Sequence, residues 1–150
     1  MTTGPDVVVG LGAAGAGDDA VGLFVARRLA AEGFPAIETS DASLLLPLFE
    51  ARRRVILVDA WLEPSRAGEV VRFERESLRA GDVFVSSHSL SVADVLALAR
   101  ALYGEDAVSV EIVGIAIDRT CCVPSALSAR AIAGIETALE IVRGLLNERR

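Results

Sequence analysis

Two carboxylates and the single histidine of the chain stand where apolar runs give way to polar residues. Asp59 directly follows the apolar residues 55–58, Asp19 follows a glycine-rich stretch after the first apolar run, and His88 precedes a helical pattern. Because ligands of open α/β sheets bind at the carboxyl ends of the strands, we expect these side chains, with Asp41 as a further candidate, at one sheet edge. Two carboxylates and one imidazole, with coordination positions left open, suit a borderline divalent metal.

Each of these residues also has a structural explanation that the sequence leaves open. Asp59 could accept backbone N–H bonds in the following loop, because a carboxylate at the tip of a buried strand needs a partner or a cation. Asp19 could be a first-turn acid stabilised by a helix dipole, and His88 could be a capping or core residue. The combination of all three favours a functional site over three separate structural roles.

The glycine-rich stretch, residues 7–22 (VVVGLGAAGAGDDAVG), raises nucleotide binding as an alternative. It contains the pattern G-x-G-x-x-G after an apolar run, and Glu38 stands near the position expected for a ribose-binding acid. The pattern alone is weak evidence, and saturable binding of NAD or another nucleotide would be needed to support it.

The positions of Gly15 and Gly17 favour a different interpretation of this stretch. A helix that began within the glycine pattern would contain both glycines, at about 1 kcal/mol each relative to alanine. It would also place Asp18 and Asp19 close to a pyrophosphate. We therefore expect a longer loop over residues 11–17, followed by a helix over residues 19–33 with Asp18 as its N-cap.

Short apolar runs alternate with helical patterns along the chain, an order that predicts a single domain over residues 1–150. We expect a three-layer α/β/α sandwich with a mostly parallel sheet of about five strands. The expected strands are 6–10, 36–39, 54–59, 69–73 and 109–117, and the other expected helices are 43–51, 91–103 and 125–147. The connection before residues 69–73 is too short for a crossover helix, so that strand should be antiparallel to its neighbour.

Composition excludes several classes of partner. The net charge of −6 and the pI of about 4.8 argue against a nucleic-acid footprint. The chain has no signal-like N-terminus and no apolar stretch near the roughly 20 residues that span a bilayer, so we expect a cytoplasmic monomer with no membrane partner.

The adjacent Cys121 and Cys122 cannot build a disulfide framework and are interpreted as structural. No G-x-S-x-G elbow is present, and Ser87 and Ser89 are poorly placed to meet the ring of His88.

Four segments resemble, in order and spacing, the hydrogenase maturation proteases, which process the large subunit of nickel–iron hydrogenases. The segments are VVVGLGAAGAGDDAVG, VILVDAWLEPSRAGEV, SSHSLSVADVLALA and VEIVGIAID. They are similar to the family's G-x-G-N-x-x-x-x-D-[DE]-G-x-G loop, its strand-Asp segment with the following turn and strand, its S-x-H-x-L-x-L-x-[DE]-x-L segment and its last strand. The resemblance covers nearly the whole chain.

This resemblance implies an α/β/α sandwich and an endopeptidase that removes a C-terminal extension from the large-subunit precursor once nickel is in place. It implies that Asp19, Asp59 and His88 interact with nickel, which the substrate supplies, so that no permanent cofactor is expected. For the chemistry we hypothesise hydrolysis by a water polarised near the metal, with Asp19 or Asp59 as the base, because the chain shows no motif for a covalent nucleophile.

The chain departs from the family pattern in its loops. Ala13 replaces the loop Asn, Ala20 replaces the glycine after the acidic pair, and Ser91 stands where a glycine is common. Residues 40–43 keep Asp41 but lose the glycines and threonine of the family segment, and the sequence leading to Cys121 and Cys122 replaces the family's Pro-Glu continuation. These changes leave open a relative that binds a metal-loaded partner without cleaving it.

Overall fold

The computed structural model describes residues 4–13, 15, 17–73, 91–118 and 126–148. In this part of the chain the strands are β1 (Val7–Leu11), β2 (Ala36–Thr39), β3 (Arg54–Leu62), β4 (Val70–Phe73) and β5 (Ser109–Ile117). The α-helices are α1 (Val21–Ala31), α2 (Leu45–Glu50), α3 (Val92–Tyr103) and α4 (Ala129–Asn147), and short 3-10 helices span Gly17–Ala20, Ala42–Leu44, Pro64–Arg66 and Glu105–Ala107.

The five strands form one sheet in the order β2-β1-β3-β5-β4. β2, β1, β3 and β5 are parallel to one another, and β4 pairs antiparallel with β5. The predicted five-stranded, mostly parallel α/β fold is therefore confirmed. The antiparallel direction of β4 is confirmed too, although its partner is β5 and not β3, the strand that precedes it.

Alternating residues of the central strands pack into two separate cores, one on each face of the sheet. Val8 and Ile56 lie in the core with α1 and α4, whereas Val9 and Leu57 lie in the core with α2 and α3. Because both faces are covered by helices, the central strands read as continuous apolar runs in the sequence. The result is the expected arrangement of a helical layer on each side of the sheet.

Two glycines allow α1 to lie unusually close to the sheet. A Cβ atom added to Gly22 would overlap the carbonyl oxygens of Leu11 and Val58, and one added to Gly10 would overlap the carbonyl oxygen of Gly22. Since any side chain at either position would push the helix away, this contact fixes the start of α1 against β1 and β3. It therefore also fixes the 3-10 helix that precedes α1.

Several predicted boundaries differ from the structure by one to four residues, and three of these differences have a clear physical reason. β3 continues to Leu62 because β5 pairs with it over nine residues, so Asp59 lies within the strand and not at its tip. α1 begins at Val21, after the 3-10 helix Gly17–Ala20, so Asp18 is not its N-cap. α4 begins at Ala129 rather than at residue 125, because the hydroxyl of Ser128 caps it by accepting from the amide of Ala131.

Candidate functional site

The two candidate carboxylates come from neighbouring elements at the point of the sheet where the strand order reverses. The chain passes from β1 to β2 on one side of it, and then to β3 on the other side. The strand order therefore reverses at β1. Crevices at such switch points are the usual ligand sites of open α/β sheets. Asp19 lies in the 3-10 helix directly after β1, and Asp59 lies in β3.

Asp59 is a fully buried carboxylate inside a strand. Its solvent exposure is 0%, and one carboxylate oxygen, Oδ1, accepts a hydrogen bond of 2.8 Å from the amide of Ala60. The pairing of β1 with β3 ends one residue earlier, at Val58, so Asp59 occupies the first position of β3 beyond that ladder. The interpretation that it accepts a backbone N–H is confirmed, with the donor in the strand rather than in a loop.

Asp19 is half-buried on a loop that glycines shape. Gly15 and Gly17 have φ angles of 74° and 63°, the left-handed region that only glycine adopts at little cost. The described residues Gly12, Ala13 and Gly15 lie outside helix and strand, as the predicted loop requires, although β1 includes Leu11 and the 3-10 helix already begins at Gly17. A Cβ atom on Gly12 would lie only 2.8 Å from the carbonyl oxygen of Asp19, so the backbone of Asp19 lies directly against the end of β1.

Asp18 has a structural role that sequence reasoning missed. Its side chain is buried, and its two oxygens accept hydrogen bonds from the amide of Ser128 at 2.8 Å and from the hydroxyl of Ser128 at 2.6 Å. The same hydroxyl accepts from the amide of Ala131 at the start of α4. Asp18 thus joins the loop after β1 to the N-terminus of α4, and because the partners lie 110 residues apart, no local sequence signal could reveal the pair.

The third predicted metal ligand, His88, lies outside the described residues, as do Ser87, Ser89, Cys121 and Cys122. In sequence, His88 is three residues before Ser91, which caps α3 by accepting from the amide of Asp94. Within the described ranges, no group of three His, Cys, Asp or Glu side chains is arranged to hold a metal. The structure places two of the three predicted ligands at the switch point, and the complete set stays a prediction.

The acids of the neighbouring strand and its loop are engaged with other side chains. Both oxygens of Glu38 accept from the guanidinium of Arg27, at 2.8 and 3.1 Å, and this contact lowers the pKa of Glu38. The pair ties β2 to α1 and engages the carboxylate that a ribose-binding role would need. Asp41 accepts from the hydroxyl and the amide of Ser43, which lowers the pKa of Asp41 and caps the 3-10 helix Ala42–Leu44.

An open groove adjoins this region at the carboxyl ends of β1 and β2. Its volume is about 340 Å³, and it is lined by Gly12, Leu23, Glu38, Thr39 and Ser40. Since Gly12 is also the residue against which Asp19 packs, one end of the groove meets the candidate site.

No helix in the described part of the chain combines the length and apolar character needed to cross a membrane.

Comparison with known proteins gives consistent matches. Residues 39–144 match the family HycI, described as hydrogenase maturation protease. The chain is similar to the [NiFe] hydrogenase maturation protease HybD from Thermococcus kodakarensis, with 28% identity, a TM-score of 0.77 and coverage of 95% of this chain and 99% of that one. It is similar to the hydrogenase maturating endopeptidase HybD from E. coli, with 25% identity, a TM-score of 0.70 and coverage of 97% and 94%. The endopeptidase HycI from Escherichia coli shares the fold at 23% identity, with a TM-score of 0.69 and coverage of 94% and 90%. No curated protein sequence matches significantly.

Proposed function

Since the chain belongs to the hydrogenase maturation protease family and is a peptidase of that family, we propose that it removes the C-terminal extension of a [NiFe] hydrogenase large-subunit precursor that already carries nickel. The observation that carries the proposal is the buried carboxylate of Asp59 beside the loop of Asp19, at the switch point of the sheet. We propose that it acts as a monomer in the cytoplasm, in keeping with a cysteine content that cannot form a disulfide framework.

Nickel belongs to the substrate in this proposal. Asp19 and Asp59 would contact it through carboxylate oxygens and His88 through an imidazole nitrogen, a donor set that borderline divalent metals accept. Three protein ligands leave coordination positions open, and in this proposal the precursor that carries the nickel fills them. A precursor without nickel would lack the cation that the buried charge of Asp59 attracts, so cleavage would report correct metal insertion.

The proposed chemistry is hydrolysis of one peptide bond. A water oxygen attacks the scissile carbonyl carbon while Asp19 or Asp59 accepts a proton from that water. The C–N bond then breaks, and the proton passes to the departing amine. General-base assistance of this kind contributes about 10²- to 10⁴-fold to the rate.

A second candidate is a relative that binds the nickel-loaded precursor without cleaving it, suggested by the altered loop residues. One of these changes is structurally mild. Ala20 has φ −93° and ψ 5°, a conformation that any L-residue adopts, so the loop does not require the glycine that the family has there. This observation favours an intact loop and hence the protease.

A processing assay distinguishes the two candidates. The precursor, with and without nickel, is incubated with the protein and its C-terminus is followed by intact mass. We expect nickel-dependent loss of the C-terminal peptide, and a large loss of processing for Asp59→Asn, which keeps the acceptor for the amide of Ala60 but removes the charge. Asp106→Asn is the matched control, because Asp106 is exposed and lies far from Asp19 and Asp59 in the sequence. Nickel-dependent binding with no change of mass would identify the binding relative, and cleavage by Asp59→Asn at the normal rate would remove Asp59 from the site.

A further inference from the structure

β2 forms one edge of the sheet. Within the described residues only β1 pairs with it, so no described strand pairs with its other side. The strand is short, at four residues, and Ile37 on it is 41% exposed. An exposed edge of this kind is a template for pairing with another extended chain.

The register of β2 shows which backbone groups are available. The amide of Val8 donates to the carbonyl of Pro35, and the amide of Gly12 donates to the carbonyl of Thr39. In a parallel ladder the N–H and C=O of one residue point to the same neighbour, and alternate residues point to opposite sides. Residues 35, 37 and 39 therefore face β1, whereas the N–H and C=O groups of Ala36 and Glu38 point away from the sheet.

The free edge leads directly to the candidate site. The groove described above runs from Glu38 and Thr39 of β2, and Ser40 directly after it, to Gly12 at the end of β1. At Gly12 it reaches the backbone of Asp19. The carboxylate of Glu38 is held by Arg27 of α1, so this side chain is drawn onto the face of the sheet and leaves the edge open.

We propose that β2 binds the substrate as an added strand: the extended segment of the precursor next to the scissile bond pairs with the outer backbone groups of Ala36 and Glu38 and enters the groove toward Asp19. This inference rests on the proposed function. Main-chain hydrogen bonds hold such a segment independently of most of its side chains, and one substrate side chain packs over Ile37.

A substrate tail fits this edge better than a second copy of the chain does. Specific protein interfaces bury about 1,200–2,000 Å², far more than a four-residue ladder supplies. A tail that is attached to a precursor anchored elsewhere needs only to be positioned, and a short ladder is sufficient for that. The edge also points the bound chain at the carboxylates, a feature that a dimer contact would not require.

Hydrogen exchange of the β2 region provides the direct test. We expect the amides of Ala36 and Glu38 to exchange at least fivefold more slowly when the nickel-loaded precursor is added to the wild-type protein. Cleavage of the precursor without such protection would overturn the docking proposal and leave the proposed function standing. Protection that rises with the concentration of the protein alone would overturn it in favour of self-association.

A pair of variants isolates the backbone contact. Glu38→Pro removes an outward N–H that β1 does not use, and Pro is tolerated at such edge positions. Glu38→Ala loses the same side chain and its ion pair but keeps the N–H. We expect KM for the precursor to be at least fivefold higher in the Pro variant than in the Ala variant, the change that loss of one ordinary hydrogen bond produces, with kcat within twofold. Equal KM values for two folded variants would contradict the proposal, and absence of cleavage by the wild-type protein would instead reject the proposed function.

Discussion

The contribution of the contact between Asp18 and Ser128 to the free energy of unfolding can be predicted. Asp18→Ala removes the acceptor of two short hydrogen bonds from Ser128, one from the amide and one from the hydroxyl. Hydrogen bonds to a charged group contribute about 1.5–3 kcal/mol each. Because the site is buried, the amide of Ser128 would also be left without its acceptor. We expect the free energy of unfolding to fall by about 3–5 kcal/mol.

A double-mutant cycle separates the contact from the general effect of each substitution. Ser128→Ala removes the hydroxyl bond to Asp18 and the N-cap of α4, and should cost about 2–4 kcal/mol. In that background Asp18→Ala loses only the amide bond. The combined loss should therefore be smaller than the sum of the single losses by about 2 kcal/mol, the size expected for residues in direct contact.

Urea denaturation followed by circular dichroism measures these energies, and thermal unfolding provides a second reading. For a chain of this size, 1 kcal/mol corresponds to roughly 2–4 °C in Tm, so Asp18→Ala should lower Tm by about 6–20 °C. A coupling energy below about 0.5 kcal/mol would refute the contact as the link between the loop and α4. Since Asp18 directly precedes Asp19, processing of the precursor should also slow in both variants below their Tm.

Two further predictions concern the packing of α1. Gly22→Ala should destabilise the protein by about 3 kcal/mol or more, because the new methyl group meets backbone carbonyls that cannot move aside. The control Gly144→Ala, at an exposed helical position with no atom near the added carbon, should stabilise the protein by about 0.5–1 kcal/mol. Equal Tm shifts for the two variants would contradict the close approach of α1 to the sheet. Arg143 lowers the pKa of Glu32 from its ordinary value of 4.5 through a side-chain hydrogen bond, so the pair stabilises the fold above that pH and the contribution is lost as the pH falls through the lowered value. Tm measured from pH 6 to pH 3 should therefore fall more for the wild-type protein than for Arg143→Gln, and parallel curves would argue against the pair.

The elements predicted correctly from sequence are those defined by local signals. α3 lies within one residue of its predicted bounds, because the capping Ser91 and the helical spacing that follows lie within one short stretch. β5 has the predicted bounds, since its apolar residues 112–117 form a continuous run that Asp118 ends. The parallel sheet followed from the alternation of strands and helices, which depends on order along the chain and not on distant contacts.

The wrong predictions concern boundaries that are determined by residues distant in sequence. β3 extends past Asp59 because β5 offers nine residues of pairing, although Ala60, Trp61 and Leu62 carry an apolar signal that could have been used. The start of α4 is set by Ser128, which also bonds to Asp18 from the other end of the sequence. The carboxylates of the site could be predicted because each follows or ends an apolar run, whereas the role of Asp18 could not.

The difference in burial between the two carboxylates bears on which of them is the base. Asp59 is fully buried within β3, where a charge is costly unless a cation or donor faces it. That position favours a role as a metal ligand, in which the nickel of the precursor would offset the buried charge, over a role as the base. Asp19 is only half-buried, and this greater access to water favours it as the base. Asp19→Asn should then lower kcat by about 10²- to 10⁴-fold, and should weaken the affinity for the nickel-loaded precursor less than Asp59→Asn does. The reverse pattern in the processing assay would exchange the two roles.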